Sequence, residues 1–533
     1  MAKRFIKKMV IDGFKKFTHL EVDFNESMNL FVGENEAGKS TVLDAIRLVL
    51  CQSYRNADKA CLMDLFNQDQ MKVFYAHPSV QSLPKIHIEV LLSLEDDGPY
   101  TQWFLGENHL ELFGKGVSLY GIKFDCSFDE ELGAEIVEQV LKGIFPLEYY
   151  RLSWQTFGEK QYLSQRRALG FLPIDVSASD SNETFNHFTR NLFQGNVPEN
   201  IRLQSKNIFR ANVRSLLDQL HLPELSEGKH FGVNDRKLIL ENLLAIFDGD
   251  LPLETRGSGM ESIVKTRIAL DKRQKEAVDV ITIEEPENHL SYLNMRHMLA
   301  RIEAERKNAQ IIVATHSNMI VSRLGLKNVL WIDEKEQRVK NLGAIDGETA
   351  KFFEKIDNAS LLDLLLSEKT ILVEGATEFM LIPMLYKQIT GRSVDEDGVS
   401  VISCGGISYK RYLQVAECRQ RRVAVITDND KDMIRISEAL AYNQKHELTH
   451  VFMGNTIDHW TWEPSIYQCN KEFFDKNLKL QKNAKYLFHG EDYGRPIGYM
   501  LNNKAEVAYQ MLAAKNDWAI PDYVKDAISW LGK

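Results

Sequence analysis

The sequence predicts an α/β protein in which a phosphate-loop domain, interrupted by a helical insertion, is followed by a second α/β domain. Three observations predict this class. A phosphate-loop pattern separates a strand-like segment from a helix-like segment near residue 33. A second alternation of strands and helices begins near residue 369. The length of 533 residues accommodates roughly three or four domains.

The composition is that of a globular protein. Hydrophobic residues make up 44% and charged residues 26%, which excludes a wholly disordered chain. The formal net charge of −10 argues against a histone-like nucleic-acid binder, although a local basic groove can lie on an acidic molecule. An acidic excess is also expected where several carboxylates hold divalent metals.

Neither a secretory leader nor a membrane span is predicted. The N-terminal segment is charged without an apolar stretch, and no run approaches roughly 18 consecutive apolar residues. The six cysteines form no C-x-x-C pair, which favours free thiols over a zinc site or a disulfide framework. We therefore expect a cytoplasmic protein with no membrane partner.

The chain divides into segments of different pattern. Strands are predicted at 5–11, 20–24 and 28–32, within 85–125, at 277–284 and at 309–314, and helices at 41–50 and 130–145. Residues 177–250 are polar and then helical in periodicity, which predicts the insertion. The predicted parts are the N-terminal part of the first domain at 1–176, the insertion at 177–250, the C-terminal part at 251–350 and the second domain at 351–533.

Residues Gly33–Ser40 match the pattern G-x-x-x-x-G-K-[ST]. The glycines let backbone N–H groups surround phosphates at a helix start, while Lys39 supplies charge and Ser40 offers a hydroxyl to Mg²⁺. A chance glycine-rich turn is the alternative, which the flanking strand and helix disfavour. The residues expected to bind ATP and its Mg²⁺ here are Gly33, Asn35, Gly38, Lys39, Ser40 and Thr41.

Acidic residues after a later apolar strand extend this nucleotide site. Glu284 lies where a carboxylate orders the Mg²⁺ water shell, and Glu285 is predicted to be the general base that polarises the attacking water. His316 follows the next strand, where it could sense the γ-phosphate. An ordinary hydrogen-bonded histidine is the alternative for His316.

A second glycine turn, Arg256–Glu261, precedes a predicted helix. Ser258 and Gly259 could hold a phosphate at this helix start. Within one subunit the turn would lie far from the P-loop, so it makes sense if it caps the nucleotide of a partner subunit. A helix N-cap without a ligand is the alternative.

Four carboxylates follow two strands of the second domain. Glu374 and Glu378 follow the first strand, and Asp428 and Asp430 follow the other. Because residues i and i+2 of an extended segment point to one side, the two aspartates are expected to chelate together. The carboxyl ends of parallel strands bind ligands, and all-oxygen sites suit Mg²⁺ or Mn²⁺. Solvated loop carboxylates are the alternative.

These motifs resemble known families. Gly33–Ser40, Glu284–Glu287 and Thr315–Ser317 resemble the ABC-type ATPase heads of structural-maintenance-of-chromosomes (SMC) and RecF-like proteins, with Glu284 in place of the usual aspartate and RGSGM in place of LSGGQ. Glu374 with Asp428-Asn429-Asp430 resembles the Toprim domain of topoisomerases, primases and nucleases. An ABC head followed by a Toprim domain resembles the OLD (overcoming lysogenization defect) family of ATP-dependent nucleases, which includes the nuclease subunit of Gabija systems and certain retron effectors.

This resemblance implies further residues and a function. It implies Glu463 as a ligand of a second metal and Lys504 as a lysine near the scissile phosphate, with surface residues at helix starts as the alternative. With the four carboxylates and Glu463 as ligands, the implied activity is two-metal hydrolysis of DNA phosphodiesters in bacterial anti-phage defence. ATP and Mg²⁺ or Mn²⁺ are the implied cofactors.

Partners and regulation are implied as well. A composite ATP site implies that two heads meet in a homodimer or larger homo-oligomer, with the insertion as a contact. ATP would then gate cleavage, in a direction that the sequence leaves open. The family also implies a second defence-system protein, either a helicase-like subunit or a retron reverse transcriptase with its RNA–DNA hybrid.

Three other functions stay open. The first is a DNA-binding ATPase whose Toprim region is structural and which acts within a larger complex, but none of the four carboxylates is missing. The second is a topoisomerase, which needs a tyrosine in a separate DNA-binding domain that the sequence does not reveal. The third is a transporter ATPase, which the absence of a membrane segment disfavours. The basic stretch Arg419–Arg422 could line a DNA path or be a solvated helix end, and Gly405–Gly406 could approach a phosphate or form a plain turn.

Overall fold

The computed structural model of the chain forms two compact units, Met1–Phe31 with Gly38–Thr315, and Val32–Ala37 with His316–Lys533. The predicted domain boundaries near 176, 250 and 350 stay predictions. The residues that the structure describes are 4–55, 58–94, 100–106, 118–132, 134–163, 167–175, 189, 193, 197–219, 239–248, 250–252, 278–288, 290–305, 309–333, 336–355, 360–405, 408–418, 421–478, 480–481, 484–514 and 517–532.

The first unit contains an antiparallel sheet and a set of parallel strands. Its strands are β1 (Phe5–Phe14), β2 (Phe17–Asp23), β3 (Met28–Val32), β4 (Ile86–Ser93), β5 (Leu105–Gly106), β6 (Leu119–Phe128), β7 (Tyr150–Thr156), β8 (Phe171–Asp175), β9 (Phe247–Asp248), β10 (Leu251–Pro252), β11 (Val280–Glu284) and β12 (Gln310–Ala314). The antiparallel order is β2-β1-β4-β6-β5, with β7 also on β6. The parallel order is β3-β12-β11-β8, and β12 is wholly buried and apolar after Gln310, as a central parallel strand is.

One side chain ties the two sheets of this unit together. The amide group of Gln310, at the start of β12, accepts a hydrogen bond from the Ile6 N–H (2.9 Å) and donates to the Ile6 carbonyl (2.8 Å). The helices of the unit are α1 (Lys39–Cys51), α2 (Gln68–Ala76), α3 (Val137–Leu141), α4 (Glu199–Gln219) and α5 (Tyr292–Glu305). Helix α1 contacts β1, β4 and β6 of one sheet and β8, β11 and β12 of the other, which explains why most of its apolar side chains, from Val42 to Leu50, are buried.

Most of the predicted elements of this unit are confirmed. The strands near 5, 20, 28, 280 and 310 and the helix after the P-loop are present. The helix predicted at 130–145 was wrong in length, because Ala134–Ile136 form a 3-10 turn, only α3 is α-helical, and Gly143, with a φ of 82°, follows it. Within the predicted insertion, α4 is helical and β9 pairs with β10, which lies just past residue 250; the other parts lie largely outside the described residues.

The second unit contains a four-stranded parallel sheet. The strands of the whole unit are β13 (Val329–Asp333), β14 (Arg338–Asn341), β15 (Lys369–Val373), β16 (Val399–Ser403), β17 (Arg422–Ile426), β18 (Thr449–Phe452), β19 (Leu487–Phe488) and β20 (Glu491–Asp492). The sheet order is β16-β15-β17-β18, and β13 and β14 form an antiparallel pair. Because the chain passes from β15 to β16 on one side and returns to β17 on the other, the sheet has a switch point between β15 and β17.

Helices cover this sheet and supply its core. They are α6 (Asn318–Leu324), α7 (Gly347–Glu354), α8 (Leu361–Leu366), α9 (Ala376–Thr390), α10 (Tyr409–Glu417), α11 (Met433–Lys445), α12 (Trp462–Cys469), α13 (Lys471–Asn477), α14 (Arg495–Asn502), α15 (Lys504–Ala514) and α16 (Asp522–Gly532). Helices α9, α15 and α16 contribute the largest share of buried apolar side chains, which are Leu381, Ile382, Leu385, Val507, Met511, Val524 and Ile528. The predicted α/β class, with parallel strands after the P-loop segment and a second parallel sheet after residue 369, is confirmed.

Candidate functional sites

The P-loop joins β3 to α1 and depends on two glycines. A side chain at Gly33 would press on Ala37 and on the carbonyl oxygen of Ile332. Gly38 is the N-cap of α1 with a φ of 99°, a conformation that favours glycine, and a side chain there would overlap the ring of Phe17. Both positions therefore require a residue without a side chain, as a loop that wraps phosphates does.

Lys39, the first residue of α1, lies among acidic side chains. It is 5% exposed. Burial lowers its pKa to about 8, while Glu285, Glu287 and Glu284, the last residue of β11, raise it. The buried ammonium therefore lies near three half-buried carboxylates of the first unit, and their role in binding a magnesium nucleotide stays a prediction.

The loop after β11 is fixed by hydrogen bonds. Glu285 has a φ of 42°, an uncommon conformation for a residue with a side chain, and its Oε2 accepts from Asn288 Nδ2 at 2.6 Å. Oε1 of Glu287 accepts from Thr315 Oγ1 at 2.7 Å. No individual role was predicted for Glu287, although its position in the acidic EEPE stretch was the available signal.

The other predicted nucleotide ligands have varied surroundings. Asn35 and Ser40 are exposed, Thr41 is buried, and His316, two residues past β12, is half-buried. Ser258 and Gly259 lie outside the described residues. The roles of all these residues in binding ATP stay predictions.

In the second unit, Glu374 contacts the residues that follow the neighbouring strand. Its Oε2 accepts hydrogen bonds from Thr427 Oγ1 (2.8 Å) and from the Asp428 N–H (3.2 Å). This contact follows from the parallel register, in which Val373 of β15 is paired with Ile426 of β17. The structure thus brings Glu374 and Asp428 together, and their role as metal ligands stays a prediction.

Glu378 and Glu463 add two buried carboxylates to this edge of the sheet. Glu378 lies in the first turn of α9 and its Oε2 accepts from the Gly375 N–H at 3.1 Å, so the carboxylate is held at the helix start. Glu463 is 2% exposed, and its Oε2 lies 3.3 Å from Nζ of Lys504. The Thr461 hydroxyl contacts both Oδ2 of Asp428 and Oε2 of Glu463, the latter at 3.2 Å.

The charges of this cluster interact strongly. Burial raises the pKa of Glu378, of Asp428 and of Glu463, and Glu463 and Glu374 raise the pKa of Glu378 further. Burial lowers the pKa of Lys504, but Glu463, Asp428 and Glu378 outweigh that effect and the pKa is raised. Packed carboxylates without a cation favour their protonated forms, so the cluster has the electrostatic character of a cation site.

Asp430 is placed differently from the sequence prediction. Asp430 has a φ of 51° and Lys431 one of 65°, so the segment is not extended and the i, i+2 argument does not apply. The exposed Asp430 carboxylate pairs with the guanidinium of Arg435. The expectation that Asp428 and Asp430 point to one side was therefore wrong in its geometry, because the chain turns into the left-handed region directly after Asn429.

The donors of the cluster suit a divalent metal, although they do not form a closed ligand set. Among the described residues, no three acidic, histidine or cysteine side chains converge as a ready ligand set. The donors are nevertheless all oxygen, as Mg²⁺ and Mn²⁺ prefer. Oε1 of Glu463 is buried and has no hydrogen-bond partner within the described part of the chain, so it is available to a cation. The chemistry of these donors therefore fits such an ion, while the carboxylates would have to close around it from their present positions.

Several polar partners of the cluster were missed by the sequence analysis. Thr427 and Thr461 donate to its carboxylates. The Tyr523 hydroxyl, at the start of α16, hydrogen-bonds Ser465, and burial, followed by Asp428, raises its pKa well above the usual range. Single threonines and tyrosines carry no spacing signal, so only the fold could reveal them.

Among the described residues, no helix has both the length and the apolar character needed to cross a membrane.

Two protein families match this chain. Residues 365–430 match the family described as "Overcoming lysogenization defect protein-like, TOPRIM domain". Residues 8–112 match an AAA domain family, and this match begins before the P-loop and ends after it. The AAA match includes the loop and helix that carry Lys39. The Toprim match includes the strand ends that carry Glu374 and Asp428.

Individual relatives match either a short part of this chain or a longer part at low identity. The DNA replication and repair protein RecF of Lactococcus lactis is 33% identical over 69 residues, 13% of this chain and 19% of that protein. Structural maintenance of chromosomes protein 6 of Saccharomyces cerevisiae is 22% identical over 397 residues, 67% of this chain and 33% of that protein. A solved SMC head bound to the C-winged helix domain of ScpA has a TM-score of 0.35 at 12% identity, covering 63% of this chain and 98% of that one. The chain thus spans a third or less of these two curated relatives.

Proposed function

Because this chain is an OLD-type protein, with an ATPase domain followed by an OLD-like Toprim domain, we propose that it is an ATP-regulated DNA endonuclease that depends on a divalent metal. We assign it to bacterial anti-phage defence, where OLD-family nucleases act. The ATPase domain binds ATP. Cleavage of DNA, the metal and the defence role are the proposed steps beyond that.

One observation carries the proposal: four carboxylates and a lysine gather at the carboxyl edge of the β15/β17 sheet. Glu374 contacts the Asp428 N–H, and Thr461 contacts both Asp428 and Glu463. Lys504 pairs with Glu463. A carboxylate cluster at a strand switch point is suited to holding cations beside a phosphodiester.

Glu374, Glu378, Asp428 and Glu463 would hold the metals, with Asp430 as a further ligand if its pair with Arg435 opens. When bound, two divalent cations supply Lewis-acid polarisation of the scissile phosphate and a hydroxide at neutral pH. The chain's own residues position this chemistry: Thr427 and Thr461 orient the carboxylates by donating hydrogen bonds to them.

Lys504 has a second role in the proposal. Its ammonium neutralises part of the carboxylate charge in the resting cluster, where it lies 3.3 Å from Glu463. In the transition state the same charge would stabilise the phosphate oxygens, since a preorganised cation needs little reorganisation.

The ATPase half would act as a gate. Lys39, with Ser40 and Thr41, would hold the phosphates, Glu284 the magnesium water shell, and Glu285 the attacking water. Ser258 and Gly259 of a second subunit would complete the site in a homodimer or larger homo-oligomer. A helicase-like subunit or a retron reverse transcriptase with its RNA–DNA hybrid is the proposed partner class.

The test is plasmid cleavage with Mn²⁺ or Mg²⁺, with and without ATP. Asp428→Asn should reduce cleavage by about 100-fold or more, since it removes a charged ligand without changing side-chain size. Asp522→Asn is the matched control, because Asp522 is 94% exposed at the start of α16. Equal cleavage by wild type and Asp428→Asn would contradict the proposal. ATP hydrolysis without metal-dependent cleavage, alone or with a neighbouring gene product, would favour the DNA-binding ATPase with a structural Toprim domain.

A further inference from the structure

A polar cavity of about 480 Å³ lies next to the carboxylate cluster in the second unit. Its volume is in the range of sites that hold small ligands, about 300–1,000 Å³. It opens at the carboxyl ends of β15 and β17, and Glu374 forms part of its wall. Glu374 therefore belongs to both the carboxylate cluster and the cavity.

The cavity combines an apolar floor with a cationic rim. Val373 and Ile426, the last residues of β15 and β17, line the floor. Lys410 and Arg435 line the rim, from the first turns of α10 and α11. An apolar floor suits a base or sugar, and the cations suit a phosphate.

Tyr409 supplies an aromatic surface at this rim. It is the first residue of α10 and is half-buried, and burial raises the pKa of its hydroxyl while the charge of Arg435 lowers it. Ser408, the N-cap of α10, also lines the cavity and its side chain makes no capping hydrogen bond. An aromatic ring beside cations and helix N–H groups is the set of contacts that single-stranded nucleic acid uses.

We propose that this cavity receives one unstacked nucleotide of the substrate strand, next to the phosphodiester that the cluster cleaves; this rests on the proposed nuclease function. Tyr409 stacks on the base, and Lys410 and Arg435 contact its phosphate, with Arg435 exchanging its pair with Asp430 for that contact. Because a base must leave the duplex stack to enter, the cavity favours single strands, ends and unpaired sites over intact duplex.

The test measures binding in the presence of EDTA, so that it does not depend on cleavage. A fluorescent single-stranded oligothymidine is titrated with the full chain and followed by anisotropy. Tyr409→Ala should weaken binding about tenfold, because stacking on an aromatic ring is lost, and Tyr409→Phe should bind as wild type does. Lys410→Met should lower the salt slope of binding by about one unit. Tyr75→Ala, at an exposed tyrosine of the first unit, is the matched control and should change nothing.

Unchanged oligothymidine binding by Tyr409→Ala, with thermal unfolding like that of wild type, would overturn the cavity proposal. So would a result in which thymidine monophosphate binds in a Tyr409-dependent way while the oligonucleotide does not, since the cavity would then serve a free nucleotide. Plasmid cleavage is scored separately. Tyr409-dependent binding without metal-dependent cleavage would support the cavity proposal and contradict the nuclease proposal. Metal-dependent cleavage with Tyr409-independent binding would support the nuclease proposal and contradict the cavity proposal.

Discussion

Arg421 and Asp333 connect two strands of the second unit. Nη2 of Arg421, the residue before β17, lies 3.8 Å from Oδ2 of Asp333, the last residue of β13. A side chain on Gly33 would contact the carbonyl oxygen of Ile332, the residue before Asp333. The first P-loop glycine therefore lies close to the end of β13, and the residue that precedes β17 pairs with the last residue of β13.

This connection predicts how ATP affects cleavage. Arg421→Gln should leave ATP binding unchanged but move the ratio of cleavage rates with and without ATP towards one, because the charged link to β13 is lost. Nucleotide coupling of about fivefold or more in wild type would make the loss measurable. Arg422→Gln is the matched control, since its guanidinium donates to the Trp530 carbonyl. A full ATP effect in Arg421→Gln would exclude this route.

Thr461 should matter for cleavage although it is not a predicted ligand. Its hydroxyl contacts Asp428 and Glu463, so Thr461→Val removes the donor and leaves the shape. Partners that orient metal ligands typically contribute about 10- to 100-fold, and we expect a loss of cleavage in that range. Thr461→Ser should restore most of the activity, and a failure to do so would point to packing by the methyl group instead.

Two variants of the ATPase half should separate ATP binding from ATP hydrolysis. Lys39→Met should weaken ATP binding, because the buried ammonium that would contact the phosphates is lost. Glu285→Gln should retain ATP binding and reduce hydrolysis by about 100-fold or more, as expected for loss of a general base. Phosphate release and nucleotide binding are measured side by side. If Glu285→Gln hydrolyses ATP at the wild-type rate, Glu285 is not the general base, and Glu287 becomes the next candidate.

Stability of the first unit should depend on pH through His87. Its Nδ1 lies 2.6 Å from Oδ1 of Asp125 and its Nε2 3.2 Å from Oε1 of the buried Glu89. Burial lowers the pKa of His87, but the two carboxylates outweigh it and raise the pKa to about 10.

The direction of that dependence follows from the raised pKa. The folded pKa lies above the unfolded value of 6.5, so the stabilisation is full below pH 6.5 and is lost as the pH rises towards about 10. His87→Gln should therefore lower the melting temperature most at pH 6 and least near pH 10. At pH 6 the loss in the free energy of unfolding should be on the order of 2 kcal/mol. A constant difference in melting temperature across this range would show that His87 is neutral in the folded state.

The sequence predicted most of the fold because its signals were local. The P-loop glycines, the apolar run before Glu284 and the alternation after residue 369 each determine an element without help from the rest of the chain. Glu374 and Asp428 could be paired because parallel strands end at one edge of a sheet. The length of α3 was missed because the apolar periodicity continues past the point where Gly143 ends the helix.

The site was less predictable where it depends on backbone conformation or on tertiary contacts. Asp430 does not point to the same side as Asp428, because Asp430 and Lys431 adopt positive φ, which an Asp-Asn-Asp stretch does not predict. Thr461 reaches Asp428 across 33 residues of sequence, and Arg421 reaches Asp333 across a longer separation. Such contacts carry no local pattern and appear only once the sheet is assembled.

Binding of Mn²⁺ in the absence of nucleotide and DNA tests the central claim most directly, because it requires no substrate, partner or activating signal. Titration of the full chain is followed by the electron paramagnetic resonance of free Mn²⁺. The account predicts that wild type and Asp522→Asn bind Mn²⁺ and that Asp428→Asn loses at least about tenfold in affinity, while Lys39→Met binds as wild type does. Equal Mn²⁺ binding by wild type and Asp428→Asn, or no binding by either, would contradict a metal centre at the end of β17.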